Sequence, residues 1–213
     1  MKRTSSRLGA VLTLLCIVAL DVLTPGRYRV TPVWLLYVAA TAVFGSIIVA
    51  RVSPTSELWR RVERVTMMTT IVLLLLANVL NLIDVLDEVL FHSGSVRAMP
   101  LILTSIAIWC CNMLAFALLY WEIDRGGPDA RASDSPGYPD FDFPAYADPT
   151  KVPPGWRPSF VDYLFIGFTT TTAFGPAEAM PLTTRAKSLV MAQSIVSLIT
   201  IVVIAARAIG LIQ

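Results

Sequence analysis

Charge is what this sequence has least of: only 15% of its 213 residues are Asp, Glu, Lys or Arg, against about 25% in soluble domains. Histidine is nearly missing as well, since His92 stands alone, and no Cys/His zinc site can be built around it. The three cysteines, Cys16, Cys110 and Cys111, sit inside apolar runs and form no CxxC pair. Adjacent Cys110 and Cys111 would project in different directions from a helix, so all three read as small apolar side chains without a redox role. A net charge of +2 and a pI near 8.5 are too mild to recruit a polyanion, and no nucleic-acid partner is expected. The cluster Arg60/Arg61/Arg64 lacks the every-third-residue spacing of a voltage sensor. No nucleophile beside a base, metal cluster or phosphate-cradling loop is present, so no catalytic residue, metal or cofactor is expected. The chain is not read as an enzyme.

What it has instead is long hydrophobic runs. Apolar residues make up 55% of the chain and the mean hydropathy is +0.67. They come in uncharged blocks of membrane-crossing length, which is why a large soluble core does not explain them. The first block, Leu8–Leu23, follows the basic start Lys2-Arg3-Thr4-Ser5-Ser6-Arg7. Asp21 and the exit Thr24-Pro25-Gly26-Arg27 offer no small-x-small cleavage pattern, so this block reads as an uncleaved anchor rather than a signal peptide. Val33–Ala50 follows, with Trp34 and Tyr37 as interface aromatics. A basic connecting loop, residues 51–64, leads to Val65–Ile83, whose helical pattern runs on to Phe91. Met99–Trp121 and Ala186–Ile212 complete the set. The expected fold is an all-α, multi-pass integral protein of the cell membrane. It has five transmembrane helices and a re-entrant or interfacial helix before the last. A three-span N-terminal region, residues 1–98, precedes a two-span module, residues 99–213.

Between the last two spans the composition changes. Residues 122–158 are rich in Pro and Gly and carry seven acids, among them Glu122, Asp124, Asp140 and Asp148. This predicts a solvated loop without regular structure. The interleaved Tyr138, Phe141, Phe143 and Tyr146 would order it against the membrane surface. Five spans put the N-terminus and loops 51–64 and 122–158 on one side. Lys2, Arg3, Arg7, Arg51, Arg60, Arg61, Arg64, Arg125, Arg131, Lys151 and Arg157 lie there, eleven basic residues against three (Arg27, Arg29 and Arg97) on the other. The positive-inside rule then places the N-terminus and the long loop in the cytoplasm.

Few polar groups interrupt the apolar blocks. Asn78, Asn81, Asp84 and Glu88 share a helical spacing near the exit of the third span. They read as a solvated helix end with two interhelical amides, the functional alternative being a cation-attracting vestibule or proton relay. Asn112 reads as interhelical glue. Arg207 either snorkels to the interface or lines a pore mouth. Glu122 and Asp124 suit a salt bridge or helix end, with Arg125 as a partner.

After Pro158, Ser159 could cap a helix whose apolar stretch to Phe168 is too short to cross a bilayer, so the segment 159–172 is expected to re-enter or lie at the interface. Four threonines then leave helix-friendly territory, and Phe174-Gly175-Pro176 forces a bend. This pattern, with Met180-Pro181-Leu182-Thr183-Thr184-Arg185-Ala186-Lys187 leading into a final long helix, resembles a potassium-channel-type pore-loop module over residues 99–212. The family signature T-T-V-G-Y-G-D is set against Thr170-Thr171-Thr172-Ala173-Phe174-Gly175-Pro176 here. In that family backbone carbonyls and a Thr hydroxyl from four subunits replace an ion's hydration shell. The resemblance therefore implies filter residues Thr169, Thr170, Thr171, Thr172, Ala173, Phe174 and Gly175, mouth charges Asp162 and Glu178, a homo-oligomer, and monovalent cations.

This sequence departs from the family at two positions. Ala173 sits where a filter Gly is expected, and Pro176 replaces the acid after the filter and removes an amide donor, so potassium selectivity is not implied. The family's loop also dips in from outside, whereas the charge count puts this one inside. Either the orientation is inverted, as in glutamate-receptor pores, or the charge rule fails here, or the segment is not a pore. The whole pattern, including Trp121-Glu122-Ile123-Asp124-Arg125-Gly126-Gly127-Pro128, also resembles an uncharacterised bacterial multi-spanning membrane family, which implies no activity. The leading expectation is a pore-loop, channel-like membrane protein for cations. The alternative is a non-conducting membrane scaffold or accessory protein acting through its long polar loop. The lipid bilayer is the partner common to both.

Overall fold

The computed structural model describes residues 2–24, 57–91, 98–133, 137–175 and 178–209, with scattered positions between 32 and 48. The expected span Val33–Ala50, the turn holding His92, and Pro176 lie largely or wholly outside the described residues. Five long or intermediate helices carry the fold: α1 (Lys2–Leu23), α2 (Glu57–Phe91), α3 (Ala98–Ile123), α6 (Phe160–Ala173) and α7 (Thr184–Ile209). Two single-turn helices, α4 (Pro128–Arg131) and α5 (Pro144–Ala147), lie between α3 and α6. The pairing of β1 (Phe141–Asp142) with β2 (Met180–Pro181) is antiparallel, Phe141 opposite Pro181 and Asp142 opposite Met180.

Among the described residues, three helical segments are long and apolar enough to cross a membrane: Glu57–Phe91, Met99–Gly126 and Thr184–Ile209. The apolar part of α1, Leu8–Leu23, is shorter than that. With 35 residues, α2 is about 52 Å long and exceeds the roughly 30 Å hydrocarbon layer. Its length corrects one expectation. Residues 57–64 are helix rather than connecting loop, because no Gly or Pro follows Pro54 and Glu57 places a negative charge in the first turn, where the helix dipole favours it. The buried side chains Met67, Thr70, Ile71, Leu74, Asn78, Asn81 and Val85 recur at three- and four-residue intervals and form one face.

The chain divides into two compact units, one of Met1–Ala10 with Asn112–Ile199, the other of Val11–Cys111 with Thr200–Gln213. In the first unit the end of α3 is enclosed on every side: Ala115 through Ile123 are all buried, Trp121 and Tyr120 almost completely. In the second unit Ile71 and Val85 of α2 and Leu101 of α3 are fully buried.

Candidate functional site

Most of the predicted site residues lie on α6 or just beyond its end. Pro158 precedes Ser159, whose amide and hydroxyl both donate to Asp162 Oδ2, at 2.6 and 2.7 Å, and so fix the helix start. Fourteen residues give about 21 Å of helix, short of a bilayer crossing. Although a run of four threonines is poor helix material, the helix runs through all of them and ends at Ala173, within a residue of the expected segment 159–172. Their hydroxyls explain this. Thr169 Oγ1 donates to the carbonyls of Phe165 (3.0 Å) and Ile166 (3.1 Å), and Thr172 Oγ1 donates to that of Phe168 (2.9 Å). Back-bonding of this kind lets a polar β-branched residue stay helical in apolar surroundings. Phe174 then caps the helix in the left-handed region at φ 59°, an uncommon conformation for a residue with a large side chain.

Thr171 has a different partner. Gln193 of α7, fully buried, donates through Nε2 to Thr171 Oγ1 (2.7 Å) and to the carbonyl of Gly167 (2.8 Å). Its Oε1 accepts from the Tyr120 hydroxyl at 2.5 Å. One turn further along, Asn112 Nδ2 donates to Ser197 Oγ (2.9 Å) and to the Gln193 carbonyl (3.2 Å). A single amide thus ties α3, α6 and α7 together. The close approach it needs exists because Gly167 has no side chain: a Cβ there would lie 2.9 Å from the Met113 carbonyl oxygen and 3.3 Å from Ala117 Cβ.

Above this junction the segment expected to be an irregular solvated loop is a folded cap. After α3 the chain reverses through Arg125, Gly126 and Gly127, all at positive φ (51°, 81° and 96°), and Pro128 starts α4. Asp124, fully buried, accepts from the amides of Asp140 (2.8 Å) and Phe141 (3.3 Å) through Oδ1, and from the Tyr163 hydroxyl (2.6 Å) through Oδ2. Arg131 Nη1 donates to the Trp121 and Asp124 carbonyls, both at 2.7 Å, and its guanidinium lies 4.9 Å from the Tyr163 ring centre. Arg125, expected to pair with the acids, instead lies over the Tyr146 ring at 4.6 Å. Asp140 accepts from the Thr183 hydroxyl (2.5 Å) and from Arg185 through both Nε (2.6 Å) and Nη2. Burial pushes the Asp140 carboxyl upward, but the Arg185 and Thr183 hydrogen bonds and the Arg185 charge outweigh it and hold the group below its ordinary value. Burial also raises Tyr163, keeping it the phenol that donates to Asp124, and raises Tyr146.

Rings fill the cap. Phe141 lies 5.0 Å from Tyr120, and Phe143 lies 5.5 Å from Tyr163 and 6.0 Å from Trp156, all edge-on. Phe141 and Phe143 are therefore its core rather than surface anchors, and only Tyr138, 94% exposed, is free to meet an interface.

Of the seven filter candidates, Thr169, Thr170 and Thr171 are buried within this chain, while Thr172, Ala173 and Phe174 are exposed and Gly175 is half-exposed. Asp162, Thr169 and Glu178 line one open cleft of about 290 Å³. The intramembrane candidates lie elsewhere: Asn78, Asn81 and Asp84 are on α2, where Asn81 Nδ2 reaches Asp21 Oδ1 at 3.4 Å, and Asn112 belongs to the Gln193 junction. Arg207 points its Nη2 at the Val89 carbonyl, 3.5 Å away. No group of three His, Cys, Asp or Glu side chains suited to a metal occurs among the described residues. The residues absent from the expectation are Gln193, Gly167, Arg131, Tyr163 and Arg185. Gln193 had a visible signal, an amide deep in an apolar run like Asn112. The others are ordinary residues whose role depends on distant partners. Compared with family models, curated proteins and solved structures, the chain matches none.

Proposed function

We propose that the chain is a five-span protein of the cell membrane, α1 and Val33–Ala50 joining the three long apolar helices, with its N-terminus and cap in the cytoplasm and α6 re-entering between α3 and α7. In this reading it is a non-conducting scaffold or accessory protein that presents the ordered cap to a partner. One observation carries it: the hydroxyls of Thr169, Thr171 and Thr172 are already committed to this chain's own carbonyls and to Gln193. An ion filter needs oxygens aimed at a shared axis and free to replace water. Here those oxygens hold one protomer together.

The test is ion flux into liposomes holding the purified protein. The expected result is no flux above empty vesicles for Na⁺, K⁺ or H⁺. Flux that Thr172→Ala or Phe174→Ala changes would overturn the scaffold reading. Labelling of single cysteines placed in the cap of a cysteine-free variant, from each side of intact cells, tests the orientation.

A second reading, a cation pore, rests on a separate observation: Thr172, Ala173 and Phe174 are exposed at the C-terminal end of a helix too short to span. The negative end of a helix dipole favours a cation. This reading requires a homo-oligomer with those residues around a rotational axis and monovalent cations between them. A monomer or dimer in detergent, sized by light scattering, argues against it.

A further inference from the structure

Asp162 and Glu178 stand sixteen positions apart in the chain, yet both open onto the same cleft of about 290 Å³ beside α6. Its walls are apolar and aromatic: Phe143 from the cap, and Val161, Phe165 and Ile166 from α6. No Lys, Arg or His lines it among the described residues. Glu178 is exposed and makes no hydrogen bond or ion pair among the described residues. Asp162 commits only Oδ2, to Ser159, and its second oxygen stays available.

Two carboxylates at the edge of an apolar trough create a negative potential that a neutral solute does not relieve. A hard inorganic cation fits poorly, because it demands several oxygen ligands where the walls offer hydrocarbon. An ammonium ion satisfies both features: its N–H groups or charge face the carboxylates, and its apolar body displaces water from the trough. We propose that this cleft binds an amphiphilic organic ammonium ion, with the cationic head between Asp162 and Glu178 and the apolar chain along Phe143, Phe165 and Ile166. The site is independent of the scaffold and pore readings. Its ammonium comes either from a free amine or from the headgroup of an aminophospholipid.

Trp156 packs on Phe143 at 6.0 Å, so occupancy is expected to change tryptophan fluorescence. The full chain in maltoside micelles is titrated with n-octylammonium, octanol and octanoate. Saturable binding of octylammonium is expected, with the alcohol about tenfold weaker or worse and the carboxylate not binding. Glu178→Gln weakens octylammonium about fivefold, the worth of one exposed charge pair. Val161→Arg, at a position 68% exposed, places a cation on the cleft wall and abolishes binding, which provides an independent variant should Glu178→Gln not fold. Equal affinity for octylammonium and octanol, or titrations that neither substitution changes, overturns the proposal. In nanodiscs, a weaker apparent affinity in phosphatidylethanolamine than in phosphatidylglycerol assigns the site to the lipid headgroup, whereas equal affinities assign it to a free amine.

Discussion

Among the described residues the two units of this chain differ in how densely their buried polar groups are linked to one another. In the unit containing Asn112–Ile199, Gln193 engages three side-chain or backbone partners and Asp124 three donors, and both are fully buried. In the unit containing Val11–Cys111, Asn81 reaches Asp21 at 3.4 Å, but Asn78 Nδ2, Thr104 Oγ1 and Trp109 Nε1 are buried without a hydrogen-bond partner among the described residues. Thr170 Oγ1 and Arg125 Nε are the corresponding exceptions in the first unit. Both units are rich in apolar side chains, so hydrophobicity does not separate them. A closed polar network in a low-dielectric interior specifies one geometry, because every alternative leaves a group unsatisfied. Apolar helix faces tolerate small rotations and shifts that such a network forbids. The cap and the α3–α6–α7 junction are thus the part of the molecule built to hold a fixed shape.

The strongest way to break that contrast is Gln193→Leu. It strands the Tyr120 hydroxyl inside the protein and takes the donor away from the buried Thr171 hydroxyl, and the expected cost is about 3–5 kcal/mol, read as a fall in the unfolding midpoint in detergent. A cost below about 1 kcal/mol would show that the junction is held by packing alone. Asp140→Ala comes next, at about 3 kcal/mol, the low end for a broken buried pair, because Arg185 is 58% exposed and can rehydrate.

The same carboxylate predicts a pH response. Its folded pKa lies below the ordinary value, so its contribution is present above about pH 4 and is lost as pH falls through the folded value. Wild type should therefore lose more stability than Asp140→Asn between about pH 5 and 3, and parallel curves for the two would refute the assignment. Gly167→Ala should cost about 1–2 kcal/mol despite alanine's better helix propensity, since the obstruction is a backbone carbonyl that cannot rotate away. Circular dichroism melts of this variant beside Gly45→Ala, where a Cβ meets open space, would separate the two effects. The smallest effect belongs to Asn78→Leu. Its unpartnered amide makes a change within about 1 kcal/mol of zero the expected outcome, and a large loss would mean that the second unit has a network of its own.

Much of the helical framework was legible. The apolar runs marked α3 and α7 to within a few residues, and the continuation of α2 to Phe91 followed from its period. The misplaced elements share a cause. Residues 57–64 look like a basic loop because five of the eight are charged, yet nothing in them interrupts a helix. The threonine run looks unfavourable because propensity counts the side chain as a competitor for the backbone, whereas back-bonding to the preceding turn makes it compatible. The stretch 122–158 looks like an irregular loop ordered at the membrane surface because its prolines and glycines are read as interruptions, while its aromatic and charged residues fold around Asp124 and Asp140. Asn112 was visible as glue, but its connection to Ser197 was not, and Gln193 eighty-one positions away was the more central amide.

By itself the sequence determined that the chain is helical, that it carries segments of membrane-crossing length, and which residues are unusual in lipid-like surroundings. These are local properties, set by hydropathy and by the period of a helix. Only the tertiary structure decided that three of four consecutive threonines are buried in one protomer, that Gln193 donates to Thr171, and that Asp162 and Glu178 share a cleft. The reason is physical. A side chain's polarity is local, but whether its hydrogen-bonding capacity is already used depends on residues far away in the chain, and that use separates a structural junction from an open site.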